Sequence, residues 1–184
     1  MAHSSVGPSG SHRWINCPGS VDLIADARSN RRIKPDRPTI YTDEGTAAHM
    51  LAEDALRTGD PVDDALCSVI KLTHAITVDR EMCEHAQGYV DFVRAQLRNS
   101  YSVLLVEEQV SYTDWVPDGF GTADAVILDD DCITVIDLKY GQGVLVNAVG
   151  NSQALLYAMG VWLSLDQIER AGIKTVRMVI YQPR

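Results

Sequence analysis

The chain has 184 residues, of which 46% are apolar and 22% charged, an ordinary globular composition that fits one domain with a substantial core. No apolar run approaches the roughly 20 residues of a membrane-spanning helix, and no basic segment followed by an apolar stretch opens the chain. Neither a membrane partner nor a secretory signal is therefore expected. The net charge of −9 counts against a nucleic-acid partner, which usually selects a basic face.

Residues 1–12 are rich in Ser, Gly and His and are expected to be mobile. Ser20 can cap a short helix from Val21 to Ala27. Residues 28–40 carry two prolines and read as a loop. With Arg13, the residues Arg28, Arg31, Arg32, Lys34 and Arg37 form a basic cluster, read either as a local anion-attracting patch or as a solvated loop. Thr42 is expected to cap a helix from Asp43 to Arg57, with acids in its first turn and Gly59 beyond its end. Residues 59–80 are mixed, with a short helix from Pro61 to Leu66. A long helix follows from Arg80 to Asn99, its apolar positions Met82, Ala86, Tyr89, Val90, Val93 and Leu97 recurring at spacings of three and four.

Strands are expected at 103–112, 120–128 and 132–138, an apolar helix at 148–163 and a further strand at 175–181, ended by Pro183. The order from residue 80 is α-β-β-β-α-β. It predicts an α/β (mixed α+β) fold in which helices flank a mixed sheet. We expect a single domain over 1–184, with an arm at 1–40 and a core at 41–184. Because the chain stops at Arg184, immediately after the last strand, a longer natural protein is expected. Cys17, Cys67, Cys83 and Cys132 are widely spaced with no CxxC, so reduced, mostly buried thiols and a cytosolic setting are expected.

The chemistry concentrates in 121–139. Two apolar runs, Ala125 to Leu128 and Cys132 to Ile136, flank Asp129, Asp130 and Asp131, which reads as a hairpin with an acidic turn. Antiparallel pairing brings Asp124 and Asp137 to the same end, and Lys139 shares the face of Asp137. Two carboxylates and a lysine are what metal-dependent phosphodiester cleavage needs: carboxylates for Mg²⁺ or Mn²⁺, and a lysine for the attacking water or a phosphate oxygen.

His49 and Glu53 are four apart on one helix face, as are Gln153 and Tyr157 on the apolar helix. Imidazole suits Mn²⁺ better than Mg²⁺, although His49 taken alone reads as a surface or packing residue. Gln153 and Tyr157 can hydrogen-bond to phosphate or to a site residue, or can simply pack. One of Glu107 and Glu108 points inward by alternation and can join the metal ligands; parity alone does not choose between them. The turn Tyr140-Gly141-Gln142-Gly143 can approach a phosphate but has no nucleotide-binding pattern.

Together these segments resemble the RecB-like branch of the PD-(D/E)XK nuclease superfamily. Gly45-Thr46-Ala47-Ala48-His49 with Glu53 is similar to its histidine-bearing motif, and Gly121-Thr122-Ala123-Asp124 to G-x-x-D. Ile136-Asp137-Leu138-Lys139 is similar to D-x-K, and Gln153-Ala154-Leu155-Leu156-Tyr157 to Q-x-x-x-Y. The segment from Ser9 to Ser20 and the terminal Tyr181-Gln182-Pro183-Arg184 resemble an uncharacterised phage and prophage family of that branch.

The resemblance implies a restriction-endonuclease-like core and a Mg²⁺/Mn²⁺-dependent DNA nuclease. It suggests an exonuclease of phage recombination or DNA end processing, cytoplasmic in a bacterial host. His49, Asp124, Asp137 and the Leu138 carbonyl would bind metal. Lys139 would position the nucleophilic water, Gln153 and Tyr157 would support the site or touch DNA, and Glu53 would orient His49 or Lys139. Cys17 stands where some relatives place one iron–sulfur ligand; it would serve as one only if a longer chain supplied the other ligands, so no complete cluster is expected in this chain. A homo-oligomer and a phage recombination partner are further implications. The rival expectations are an inactive nuclease-fold module that binds DNA or assembles, and a hydrolase of small phosphate esters.

Overall fold

Four apolar segments of the chain pair edge to edge into one sheet, and helices pack on both of its faces. A computed structural model describes residues 4–34, 37–141 and 145–184. In chain order it contains a 3₁₀ turn at Pro8–Gly10, α1 (Ser11–Asn16), α2 (Gly19–Ser29), α3 (Ile40–Thr58), a 3₁₀ turn at Val62–Ala65, β1 (Val69–Lys71), β2 (Ala75–Thr77) and α4 (Arg80–Ala95). Then follow β3 (Val103–Ser111), β4 (Phe120–Leu128), β5 (Cys132–Leu138), α5 (Ser152–Ser164), α6 (Gln167–Gly172) and β6 (Thr175–Tyr181).

The main sheet has the order β3-β4-β5-β6. Strands β3, β4 and β5 form an antiparallel meander, and β6 returns parallel to β5 after the α5–α6 crossover. The expected α-β-β-β-α-β order and mixed sheet are therefore present, with α6 added before the last strand. Strand β5 is central, and all seven of its residues are buried, the pattern of a strand covered on both faces. On one face, Ala125, Ile127 and Ile136 pack against α3 and α4 through Ala48, Leu51, Ala86 and Val90. On the other, Val126, Ile133 and Val135 pack against α5 through Tyr157, Ala158 and Val161. Burying each of these large apolar side chains contributes about 1.5–3 kcal/mol before the entropic cost of ordering it. Among the described residues, no helix is long and apolar enough to cross a membrane.

Several boundaries differ from the sequence reading for identifiable reasons. Thr39, not Thr42, caps α3. Thr42 occupies the third helical position and returns its hydroxyl to the Thr39 N–H in a capping box. At the far end Gly59 adopts φ 91°, the left-handed conformation that ends the helix, as its position suggested. Helix α4 stops at Ala95 rather than Asn99. Gln96 and Leu97 turn back to the carbonyls three residues behind, and the Ser102 hydroxyl takes the N–H groups of Arg98 and Asn99. Helix α5 begins at Ser152 because Asn151 caps it, accepting the Ala154 N–H. Helix α2 spans 19–29 rather than 21–27, and Ser20 lies inside it without capping it. The small β1–β2 hairpin and α6 were not anticipated.

The N-terminal arm is the largest departure. Residues 4–16 are packed down rather than mobile. The Tyr112 hydroxyl donates to the Val6 carbonyl at 2.9 Å, and Trp14 Nε1 donates to the Gly7 carbonyl at 3.0 Å. Ser11 Oγ lies 2.6 Å from Ser152 Oγ, at the start of α5. Pro8 packs directly on Gly121, where a Cβ would stand 2.5 Å from the proline ring and 3.0 Å from Tyr157. The glycine opening G-x-x-D is thus required by close approach of the arm.

Candidate metal centre

The β4–β5 register pairs Ala125 with Ile136 and Val126 with Val135, so the next facing positions are Asp124 and Asp137. The two carboxylates meet at one end of the hairpin, as the sequence indicated. Asp124 Oδ2 accepts the Leu138 N–H at 2.7 Å, and Oδ1 lies 3.4 Å from His49 Nδ1 on α3. Leu138 thus enters the site through its N–H, which fixes the Asp124 carboxylate. Lys139 Nζ lies 2.7 Å from Asp137 Oδ2, an ion pair in which the aspartate side chain is only 3% exposed. Gln153 Nε2 donates to Asp137 Oδ1 and to the Tyr157 hydroxyl, each at 3.2 Å. The structure therefore brings together His49, Asp124, Asp137, Lys139, Gln153 and Tyr157.

It also selects Glu107. His49, Glu107 and Asp124 each offer a ligand atom, and these atoms all lie within 4.8 Å of one another. Parity could not find this residue because alternation breaks there. Glu107 has φ 51°, and the β3–β4 pairing runs from Val106↔Ala125 to Glu108↔Ala123 with no pair at Glu107. Leu105 and Val110 differ in parity yet both pack on the α5 side, whereas Ala123 and Ala125 share parity and pack on opposite sides. A positive φ at a glutamate is costly, and such positions cluster at functional sites.

Glu53 does not orient His49 or Lys139 as expected. Its carboxylate accepts from Arg57 Nε at 3.0 Å, and Arg57 reaches on to the Val106 carbonyl at 2.7 Å. Glu53 therefore tethers the backbone beside Glu107. Glu44 pairs with Arg184 at 3.1 Å, away from His49. Cys17 is exposed just past the end of α1, and Cys67 is also exposed, so only Cys83 and Cys132 match the expected buried thiols. In the basic cluster, Arg32 pairs with Asp26 at 3.5 Å. Gln142 and Gly143 of the glycine turn lie outside the described residues.

The electrostatics are those of crowded negative charge. Burial, with added repulsion from Asp124, raises the Asp137 carboxyl to about 6, against the pull of Lys139 and His49. Burial and the Asp124 charge raise Glu107 to about 7. Burial alone would lower the His49 imidazole. The hydrogen bond and charge of Asp124, with Glu107 and Asp137, outweigh it and hold the ring above its ordinary value. Beneath the site, the Tyr89 hydroxyl donates to the Ile136 carbonyl at 3.2 Å. Its pKa is pushed well up by burial and by the charges of Asp124, Asp137 and Glu107.

This donor set fits a divalent cation. Carboxylate oxygens suit Mg²⁺ and Mn²⁺, and the imidazole favours Mn²⁺. Carboxyls held above their ordinary range mark negative charge that a cation would relieve.

The chain matches a protein-family model. The family described as "Protein of unknown function (DUF2800)" covers residues 3–184. The chain belongs to this family. The match runs through the N-terminal arm as well as the sheet, so the arm is part of the DUF2800 unit. No solved structure matches this DUF2800 chain.

Proposed function

We propose that this DUF2800 chain is a Mg²⁺- or Mn²⁺-dependent deoxyribonuclease of the PD-(D/E)XK, RecB-like type. The reading takes it to be an exonuclease acting in phage recombination or DNA end processing. One observation carries the reading: Asp124, Asp137 and Lys139 converge at one hairpin end beneath His49, with Lys139 Nζ 2.7 Å from Asp137. The α-β-β-β-α-β order and the Gln153–Tyr157 pair beside Asp137 support it.

His49, Glu107, Asp124 and Asp137 would hold the cation, with the Leu138 carbonyl as a further oxygen. When bound, the cation supplies acidified water and Lewis-acid polarisation of a phosphoryl oxygen. Asp137, held near 6, is an anion at neutral pH and so able to ligate. Lys139 orients the attacking water and stabilises the charge that develops on the phosphoryl oxygens. Gln153 keeps the Asp137 carboxylate aimed by bonding one of its oxygens.

The net charge of −9 favours a second reading, a nuclease fold that binds or assembles without cutting. End-labelled linear and closed circular DNA, single- and double-stranded, incubated with Mn²⁺, Mg²⁺ or EDTA, separates the two. The nuclease reading expects metal-dependent loss of linear DNA that vanishes in Asp137→Ala and Lys139→Ala. Full activity in folded Lys139→Ala, or no cleavage by folded wild type, rejects it.

A further inference from the structure

The N-terminal arm and the start of α5 enclose a groove of about 500 Å³ that opens beside the metal centre. Lys139 and Gln153, both bonded to Asp137, form one end of it; Ser9, Ser11 and His12 of the arm, with Asn147, Asn151 and Ser152 before and at the start of α5, form the rest of its polar lining. No described aspartate or glutamate lines it, although the chain carries 25 of them and Glu107, Asp124 and Asp137 crowd the adjoining site. The volume lies within the usual range for a small-molecule site, about 300–1,000 Å³.

The arm that forms this wall is held in place. Ser11 bonds Ser152, Pro8 seats on Gly121, and Val6 accepts the Tyr112 hydroxyl. His12 projects from this clamped turn, and its imidazole makes no hydrogen bond or ion pair with the described residues. The groove thus offers a lysine, an imidazole, serine hydroxyls and side-chain amides, and no described carboxylate is among its lining residues. Donors of this kind recognise phosphate and sugar oxygens.

From this geometry we infer that the groove is a subsite for the sugar–phosphate backbone of the DNA strand flanking the bond that is cleaved, and that His12 is a substrate-positioning residue there. The inference rests on the nuclease reading for the identity of its ligand. It gives the arm a second role, as a wall of the strand channel.

The test is fluorescence anisotropy of a labelled single-stranded oligodeoxynucleotide in EDTA and again with Ca²⁺, on wild type, His12→Ala and Asn147→Asp. Both substitutions lie at exposed positions, and melting curves check that each variant folds. We expect each variant to bind roughly tenfold more weakly, the loss of about one charge-assisted hydrogen bond. In Mn²⁺ each should raise KM for cleavage while largely keeping kcat.

His12-dependent binding by a wild type that never cuts DNA would keep the subsite and remove the nuclease reading. Cleavage with unchanged KM and unchanged oligonucleotide affinity in both variants would overturn the subsite and leave the nuclease reading standing. Absence of oligonucleotide binding by wild type in both conditions would also overturn it.

Discussion

Replacing Glu107 by Gln separates the cost of the site from its use. In the metal-free protein at about pH 8 the Glu107 carboxyl is ionised against burial and the Asp124 charge, which hold it at about 7 rather than 4.5. At about 1.4 kcal/mol per tenfold change, that displacement would be worth a few kcal/mol. Glu107 is half-buried and partly screened by solvent, so about 1–2 kcal/mol is the expected relief. For a chain of this length, each kcal/mol moves the melting temperature by roughly 2–4 °C. Glu107→Gln should therefore melt about 2–8 °C above wild type in EDTA at that pH. The amide is a poorer ligand, so the rise in melting temperature on adding Mn²⁺ should shrink or vanish. Differential scanning calorimetry with and without Mn²⁺ measures both effects. A variant that melts at or below wild type in EDTA, with the same response to Mn²⁺, would refute the placement of Glu107.

Other perturbations test neighbouring links. Glu107 and Asp137 both sit above their ordinary values, so the folded protein holds protons that the unfolded chain has released. Their stabilising contribution is complete below about pH 4 and is lost as pH rises through about 6 and 7, and the raised His49 acts in the same direction. The metal-free melting temperature should fall between about pH 5 and pH 8, less steeply in Glu107→Gln; a flat profile would contradict this. Gly121→Val drives a side chain into Pro8 and Tyr157 and should cost about 1–3 kcal/mol, with proteolysis detecting release of the arm. Arg57→Ala removes the tether from Glu53 to the Val106 carbonyl and should weaken Mn²⁺ binding although Arg57 is not a ligand; unchanged affinity would remove that role.

The parts of the site that were legible in the sequence depend on strict local periods. Asp124, Asp137 and Lys139 follow from one hairpin and its two-residue alternation, and Gln153 with Tyr157 from helical spacing. Glu107 was hidden because its positive φ resets the alternation on which the choice between Glu107 and Glu108 depended. The arm was misread because Ser, Gly and His carry no periodic apolar signal. Its order comes from tertiary partners, Tyr112, Gly121 and Ser152, that lie more than a hundred residues away. The β1–β2 hairpin has three residues per strand, too few for alternation to register. Its turn is held by Asp43, which accepts both the backbone N–H and the imidazole Nδ1 of His74 at 2.7 Å. Glu53 satisfied the helical spacing to His49, but Arg57, at the same spacing on its other side, offers the stronger charge-assisted bond.

The central claim is that a divalent cation sits among His49, Glu107, Asp124 and Asp137. Crystals grown with Mn²⁺ and measured for anomalous scattering test it most directly. One strong anomalous peak is expected within coordination distance of the His49 imidazole and the Asp124 carboxylate, with its loss in Asp124→Ala. Ordered side chains at saturating Mn²⁺ with no peak among them would contradict it.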